Sequence, residues 1–222
     1  MNARMNSHTS THTSNSATDE NTLASLLQHP LMAILRGVTP QEVLGVAEVL
    51  LECGFHAIEV PLNSPDPYTS IERLAQHFGS RIVLGAGTVL TAADARRCAS
   101  AGAQLVLAPN RDAAVIGTAR ALGLVAMPGV ATPSEAFEAL AAGAQALKLF
   151  PADVLGPASF KGWKAVLPPG VPLFAVGGVE AGNLRHFRTA GAAGAGLGSS
   201  LYAPGRTLDD LRARALALAA AW

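Results

Sequence analysis

Residues 173–199 read LFAVGGVEAGNLRHFRTAGAAGAGLGS and contain one complete strand–helix–strand unit. Two short apolar runs, Leu173–Gly178 and Gly194–Ser199, end in glycine or a small polar residue, and the segment between them closes with Ala190-Gly191. A glycine directly after a helix is a common C-terminal cap. A continuous apolar run without polar alternation indicates a strand that is buried on both faces. The stretch therefore predicts two parallel strands joined by a helix.

The same unit repeats from Leu31 to the end of the chain. Eight apolar runs occur at Met32–Gly37, Ala57–Asn63, Ile82–Thr88, Leu105–Pro109, Val125–Gly129, Ala146–Pro151, Leu173–Gly178 and Gly194–Ser199. Their centres lie roughly 20–27 residues apart, the length of one strand–helix unit with short loops. Eight uninterrupted units predict an α/β fold, a closed (β/α)8 TIM barrel.

The alternative architecture is an open doubly wound sheet. Such a sheet normally has five or six strands and a glycine fingerprint after the first of them. The first run here ends Leu35-Arg36-Gly37 and carries no such fingerprint. The sequence therefore favours the barrel.

Composition excludes several classes of protein. Sixteen basic residues balance sixteen acidic ones without a basic cluster, which argues against nucleic acid and anionic membranes as partners. No apolar run approaches the roughly 18 residues of a membrane span. The two cysteines, Cys53 and Cys98, are too few for a disulfide framework, and we interpret them as free thiols of a cytoplasmic protein.

The first 21 residues differ from the rest of the chain. Residues 1–21 are rich in Ser, Thr and Asn and lack the hydrophobic segment of a secretory signal. This composition predicts a disordered polar tail over residues 1–21. Residues 22–222 are enough for a single barrel domain and too few for two ordinary domains.

Active sites of such barrels lie at the C-terminal ends of the strands, so polar residues within or after the apolar runs are the candidates. These residues are Arg36, Glu59, Asn63, Thr88, Asn110 and Lys148. Among the three lysines of the chain, Lys148 alone lies within an apolar run, and strand alternation points it into the barrel. Burial lowers the pKa of a lysine and yields a nucleophile that forms imines with carbonyl compounds. The alternative is a lysine held in a buried ion pair, for example with Glu59.

Glu59 and two further residues are candidates for binding and proton transfer. Glu59 has apolar neighbours on both sides and could serve as general acid and base, or only neutralise Lys148. The guanidinium of Arg36 suits a substrate carboxylate. Thr88 follows Gly85-Ala86-Gly87, where small residues would let a ligand approach closely. For Arg36 and Thr88 the alternative is a purely structural hydrogen-bonding role.

The last two runs end in glycine-rich segments that resemble phosphate sites. The residues concerned are Gly177 and Gly178 after the seventh run, and Gly198 and Ser199 after the eighth. Exposed backbone N–H groups at these positions of a barrel attract an anion without a basic side chain. The histidines of the folded part show no metal-ligand spacing, so no metal site is predicted.

Several motifs together resemble the class I aldolases that cleave 2-keto-3-deoxy-6-phospho sugar acids. The matching segments are Ala33–Gly37, Ile58–Pro65, Gly85–Leu90, Pro128-Gly129, Ala146–Pro151 and Phe174–Val179. The resemblance runs from about Leu31 to the C-terminus. It implies Lys148 as the Schiff-base residue, Glu59 as the proton shuttle, and Arg36 and Thr88 as substrate binders. It also implies that Val176 influences stereochemical preference.

The resemblance implies further properties of the protein. The expected substrate is a phosphorylated 2-keto-3-deoxy sugar acid, with pyruvate as one product, no cofactor and a homotrimeric assembly. Pro-Leu-Asn-Ser-Pro after Val60 and Ala-Val-Gly-Gly-Val at 175–179 favour the galactonate branch over the gluconate branch of the family. The alternatives are the gluconate activity, a sugar-phosphate epimerase barrel that forms no adduct with pyruvate, and a catalytically silent ligand-binding barrel.

Overall fold

The computed structural model describes residues 12–222, with side chains from Asp19 onward. The strands are β1 (Leu31–Ile34), β2 (Ala57–Pro61), β3 (Val83–Gly87), β4 (Leu105–Leu107), β5 (Val125–Met127), β6 (Gly129–Val130), β7 (Leu147–Leu149), β8 (Leu173–Val176) and β9 (Gly194–Leu197). The helices are α1 (His12–Gln28), α2 (Val43–Glu52), α3 (Pro67–Phe78), α4 (Ala92–Ser100), α5 (Ala113–Ala121), α6 (Pro133–Ala141), α7 (Ala152–Lys164), α8 (Ala181–Thr189) and α9 (Leu208–Ala221), with a short 3-10 turn at Gly79–Arg81.

The strands form one parallel sheet that closes on itself. The strand order is β5-β4-β3-β2-β1-β9-β8-β7-β6, and all the pairings are parallel. The two terminal strands of this order, β5 and β6, are consecutive in the chain and separated only by Pro128. They act as one interrupted strand, so the barrel has eight strand positions. The predicted barrel is confirmed. Each of the eight predicted apolar runs overlaps a strand.

Strand side chains alternate between two apolar layers. The outward-facing ones pack against the helices in one large cluster, to which Leu147 and Leu149 belong. The inward-facing ones form a smaller cluster that includes Val83 and Phe174. Lys148 stands between the two outward leucines and pairs in register with Phe174, so it faces the barrel interior as the alternation predicts.

Helix α1 corrects part of the prediction for the N-terminal segment. Residues 12–21 were expected to be disordered, but the helix begins at His12; residues 1–11 lie outside the described part of the chain. Leu26 of α1 is fully buried within the interior cluster, beside the first residues of several strands. The apolar opening at this end of the barrel needs a cover, and tertiary packing of this kind overrides the low helix propensity of Ser, Thr and Asn.

An ion pair attaches the start of this cover to the barrel. Asp19 on α1 has a side chain that is 3% exposed, and it pairs with Arg120 on α5. A carboxylate removed from water in this way depends on its cationic partner. None of the described helices combines the length and the apolar character that crossing a bilayer requires.

Arg120→Met should lower the free energy of unfolding by about 2–3 kcal/mol, because it leaves the Asp19 carboxylate buried without its partner. The matched control is Arg111→Met, whose partner Glu138 has a side chain that is 53% exposed. An exposed pair of this kind contributes about 0–1 kcal/mol. Chemical denaturation of both variants measures the difference. Equal losses would show that the Asp19–Arg120 pair contributes no more than a surface pair.

Candidate active site

Lys148 lies on β7 and projects into the barrel among apolar side chains. Its exposed fraction is 7%, and its Nζ atom lies 5.1 Å from the centroid of the Phe150 ring. Burial lowers the pKa of Lys148 to about 8, an effect that Glu59 opposes and Arg36 reinforces. An amine with this pKa is neutral about a tenth of the time at pH 7, against about 0.03% for an ordinary lysine. The residue is therefore suited to nucleophilic attack.

Glu59 occupies the interior face of β2. The side chain is 3% exposed, and burial raises its pKa to about 7 although the positive charges of Lys148 and Arg36 oppose the rise. Its Oε2 atom is buried and has no hydrogen-bond partner within the described structure. Among the described residues, ion pairs with N–O separations up to 4.0 Å include neither Glu59 nor Lys148. The carboxyl group thus keeps an oxygen free for a proton or a ligand.

Gly87 on β3 provides the space that the Glu59 carboxyl occupies. The two residues lie on neighbouring strands, where Pro61 pairs with Gly87 and Glu59 with Gly85. A Cβ atom at Gly87 would lie 1.1 Å from Oε1 of Glu59, so a larger residue there would have to displace this carboxyl. The sequence predicts that the small residues at 85–87 let a ligand approach, whereas in the structure the space at Gly87 is occupied by the Glu59 carboxyl.

Arg36 and Thr88 follow strands β1 and β3, which flank β2, the strand of Glu59, on its two sides. Arg36 is exposed, and its Nη1 atom donates to Oδ1 of Asn63 over 2.5 Å. Its charge acts on both Lys148 and Glu59, so the three groups share one electrostatic environment. Thr88 is half-buried and has a φ of 57°, a conformation that non-glycine residues adopt at a cost and that clusters at functional sites.

The glycine-rich ends of β8 and β9 lie next to each other at the same end of the barrel. Gly177 and Gly178 have φ values of 95° and 65°, which favour glycine. Gly198 has open space beside it, and Ser199 is exposed. The hydroxyl of Ser200 donates to the carbonyl of Val179 over 2.8 Å and thereby ties the two segments together. The two segments therefore present their backbone groups on one part of the barrel rim.

Val176 precedes these glycines and points into the barrel. It is 4% exposed and belongs to the interior cluster. A Cβ atom at Gly196 would lie 3.0 Å from both Val176 and Ile34, so Val176 fills the space above that glycine. The structure thus places an aliphatic surface in the barrel interior, directly before the glycine-rich end of β8.

The structure brings Lys148, Glu59 and Arg36 close enough to interact, and it places Thr88 and the glycine-rich segments after strands of the same barrel end. Asn110 lies on a different part of the barrel rim and lines a small apolar cavity behind β4 and β5 with Val106 and Ile116. Ser64 bonds to the turn that carries Arg36 but is not among the predicted site residues, because its Ser-Pro context is typical of an ordinary turn. No three His, Cys, Asp or Glu side chains of the described residues converge as potential metal ligands.

Comparison with known proteins identifies the family. The profile of the family described as KDPG and KHG aldolase matches residues 23–211. A Rhizobium meliloti (strain 1021) protein described as a probable 2-dehydro-3-deoxy-6-phosphogalactonate aldolase is 50% identical over 196 residues, covering 88% of this chain and 92% of its own length. The 2-dehydro-3-deoxy-6-phosphogalactonate aldolase of Escherichia coli (strain K12) is 46% identical over 193 residues, which cover 87% of this chain and 94% of the relative.

A solved structure supports the same assignment. The structure described as native KDPGal superposes with a TM-score of 0.85 at 46% identity, and the match covers 86% of this chain and 93% of that one. Sequence, fold and the buried lysine–carboxyl pair thus agree. The chain belongs to the KDPG and KHG aldolase family and is a lyase that acts on a carbon–carbon bond.

Proposed function

We propose that the protein cleaves 2-dehydro-3-deoxy-6-phosphogalactonate to pyruvate and D-glyceraldehyde 3-phosphate through a Schiff base on Lys148. The observation that carries the proposal is the buried lysine with a lowered pKa, which shares the barrel interior with the free oxygen of the Glu59 carboxyl. The names of the two relatives at 46–50% identity support this substrate. We assign the reaction to galactonate catabolism on the same ground.

The reaction begins at the ketone. The neutral amine of Lys148 attacks C2 of the substrate, and the resulting carbinolamine loses water to form an iminium ion. Desolvation supplies the neutral amine, because a charged ammonium is costly at a site that is 7% exposed. The iminium then accepts the electron pair of the bond that breaks.

Glu59 transfers the protons. As a carboxylate it removes the proton of the C4 hydroxyl, directly or through a water, and the C3–C4 bond breaks to release glyceraldehyde 3-phosphate. The electron pair moves to the iminium and leaves an enamine. Protonated Glu59 returns its proton to C3, and hydrolysis of the imine releases pyruvate. A carboxyl with a pKa of about 7 is suited to both directions of transfer near neutral pH.

The two ends of the substrate bind to residues that follow different strands around this centre. Arg36 and Thr88 hold the carboxylate, with the guanidinium providing charge-assisted hydrogen bonds. Backbone groups of Gly177, Gly178, Gly198 and Ser199 hold the phosphate. The proposed steps use side chains of the protein alone, with no cofactor.

The assembly and location belong to the same proposal. We infer a homotrimer working in the cytoplasm. The resemblance to the aldolases of this family supports the trimer. Both cysteines are buried free thiols, which suits a reducing compartment.

Borohydride reduction in the presence of pyruvate tests the proposed chemistry. We expect a reduced pyruvyl adduct on the peptide that contains Lys148, mapped by mass spectrometry. Lys148→Ala should abolish the adduct and cleavage of the substrate, while Lys161→Ala, at an exposed position of α7, should keep both. An unmodified protein that still binds sugar phosphates would contradict the proposal and favour an epimerase or a catalytically silent barrel.

Gly87→Ala should displace the Glu59 carboxyl while leaving Lys148 in place. We expect turnover to fall roughly 100-fold, as for loss of a positioned acid–base group, while the borohydride-trapped adduct still forms. The matched control is Gly117→Ala in α5, where an added Cβ meets open space. Wild-type turnover in Gly87→Ala would remove the positioned Glu59 carboxyl from the mechanism.

Val176→Thr should shift the preference between the two epimeric substrates. It replaces a methyl with a hydroxyl of similar shape in the barrel interior, where a hydrogen bond contributes about 0.5–1.5 kcal/mol. The wild type should cleave the galactonate substrate with the higher kcat/KM, and the ratio of the two values should fall roughly 3- to 10-fold in the variant. Val154→Thr, at a position 78% exposed, is the control. A wild type that prefers the gluconate epimer would reassign the substrate.

A further inference from the structure

The turn that carries Arg36 is attached to the end of β2 by two consecutive side chains. The carbonyl of Leu35 accepts from the N–H of Val38 over 3.2 Å, which closes a four-residue turn with Arg36 and Gly37 in its centre. Gly37 has a φ of 85°, which favours glycine at this position of the turn. We name the two attaching residues, Asn63 and Ser64, the β2 clamp.

Ser64 holds the backbone on both sides of Arg36. Its Oγ atom accepts from the N–H of Gly37 over 2.9 Å and donates to the carbonyl of Leu35 over 3.4 Å. The residue is 7% exposed, so these bonds are protected from water. The N–H of Ser64 in turn donates to the carbonyl of Pro61 over 2.9 Å, which fixes the hydroxyl relative to β2. A single buried hydroxyl therefore determines where the peptide groups flanking Arg36 lie.

Asn63 holds the side chain of the same arginine. Its Oδ1 atom accepts from Nη1 of Arg36 over 2.5 Å, while both side chains are exposed. An amide oxygen is neutral, so it orients the guanidinium without cancelling its positive charge. A carboxylate at this position would compete with an anionic ligand for the arginine. The amide thus leaves the full charge of Arg36 available.

On the side away from Ser64, Gly37 packs closely against a neighbouring loop. A Cβ atom at Gly37 would lie 2.7 Å from Cγ of Pro204, in the loop after β9. The turn is therefore confined between the β2 clamp and this loop. From this confined turn the charge of the Arg36 guanidinium acts on both Lys148 and Glu59.

We infer that Asn63 and Ser64 are positioning residues that hold Arg36 in the orientation needed to bind the carboxylate of the substrate. The inference rests on the proposed function, in which Arg36 binds that carboxylate. It assigns to the clamp a role in recognising the pyruvate end of the substrate and none at the phosphate end. Neither residue transfers a proton or forms a covalent bond.

The condensation of pyruvate with glyceraldehyde 3-phosphate, the reverse of the proposed cleavage, gives a separate KM for each of the two substrates. It therefore distinguishes binding at the pyruvate end from binding at the phosphate end. Arg36→Ala should raise the KM for pyruvate about 10- to 100-fold through loss of charge-assisted hydrogen bonds. Ser64→Ala and Asn63→Ala should each raise it about 3- to 10-fold, with the KM for glyceraldehyde 3-phosphate within about twofold of wild type. Ser64→Thr keeps the hydroxyl, so its KM for pyruvate should lie close to the wild-type value. Asn63→Asp should raise the KM for pyruvate more than Asn63→Ala, because it neutralises the guanidinium.

A double-mutant cycle shows whether the clamp acts through Arg36. Adding Ser64→Ala or Asn63→Ala to Arg36→Ala should raise the KM for pyruvate no further than Arg36→Ala alone. Additive effects, or equal losses for both substrates, would overturn the inference and leave a structural role. Asn63 is exposed, so its variants report even where Ser64→Ala fails to fold. Ser100→Ala, at an exposed helical hydroxyl on α4, is the control.

Failure of the clamp and failure of the proposed function give different results. A wild-type protein that forms no borohydride-trapped adduct with pyruvate would overturn the proposed function, and the inference with it. A trapped adduct together with an unchanged pyruvate KM in Arg36→Ala would remove the role of Arg36 in carboxylate binding. A trapped adduct, a raised pyruvate KM in Arg36→Ala and wild-type values in the clamp variants would overturn the clamp alone.

Discussion

The chemistry of this barrel depends on keeping one amine and one carboxyl away from water. Burial lowers the pKa of Lys148 from its ordinary 10.5 to about 8 and raises the pKa of Glu59 from its ordinary 4.5 to about 7. Burial disfavours the charged form of each and so moves the two pKa values toward each other. Groups with nearly matched pKa values exchange protons at small cost near neutral pH, which is the condition for acid–base catalysis. The closed sheet and the surrounding helices maintain that dry environment.

Large side chains in the barrel interior fit because glycines lie beside them on the neighbouring strands. Gly87 leaves room for the carboxyl of Glu59, and Gly194 on β9 leaves room for Phe174, whose ring would lie 2.2 Å from a Cβ there. Because side chains of neighbouring strands share one interior, a large residue on one strand requires a small one on the next. Helix α1 closes the opposite end, where Leu26 completes the interior cluster. The strand ends that carry the candidate site lie at the end of the barrel that α1 does not cover.

Periodicity predicted the barrel because continuous apolar runs and glycine caps are local signals. The inward orientation of Lys148 followed from the same alternation, since Leu147 and Leu149 face the helices. Helix α1 was missed because its stability comes from distant contacts, such as Asp19 with Arg120, which lie 101 residues apart. The bond from Ser64 to Leu35 spans 29 residues and is equally invisible to local patterns. Gly87 was noticed as small, but only the packing shows that its neighbour is Glu59.

The charge on the Schiff-base nitrogen controls the proton affinity of Glu59 throughout the proposed reaction. When the iminium forms, a permanent positive charge lies near the carboxyl and favours its ionised form, which is the base that the C4 hydroxyl requires. When the C3–C4 bond breaks, the nitrogen becomes neutral and that stabilisation is lost, so the pKa of Glu59 rises while it holds the proton. Returning the proton to C3 restores the iminium. In the protein without substrate, the positive charge of Arg36 also favours the ionised form of Glu59. Pairing of Arg36 with the substrate carboxylate offsets this effect. Once substrate is bound, the pKa of Glu59 therefore depends mainly on the charge of the Schiff-base nitrogen rather than on that of Arg36.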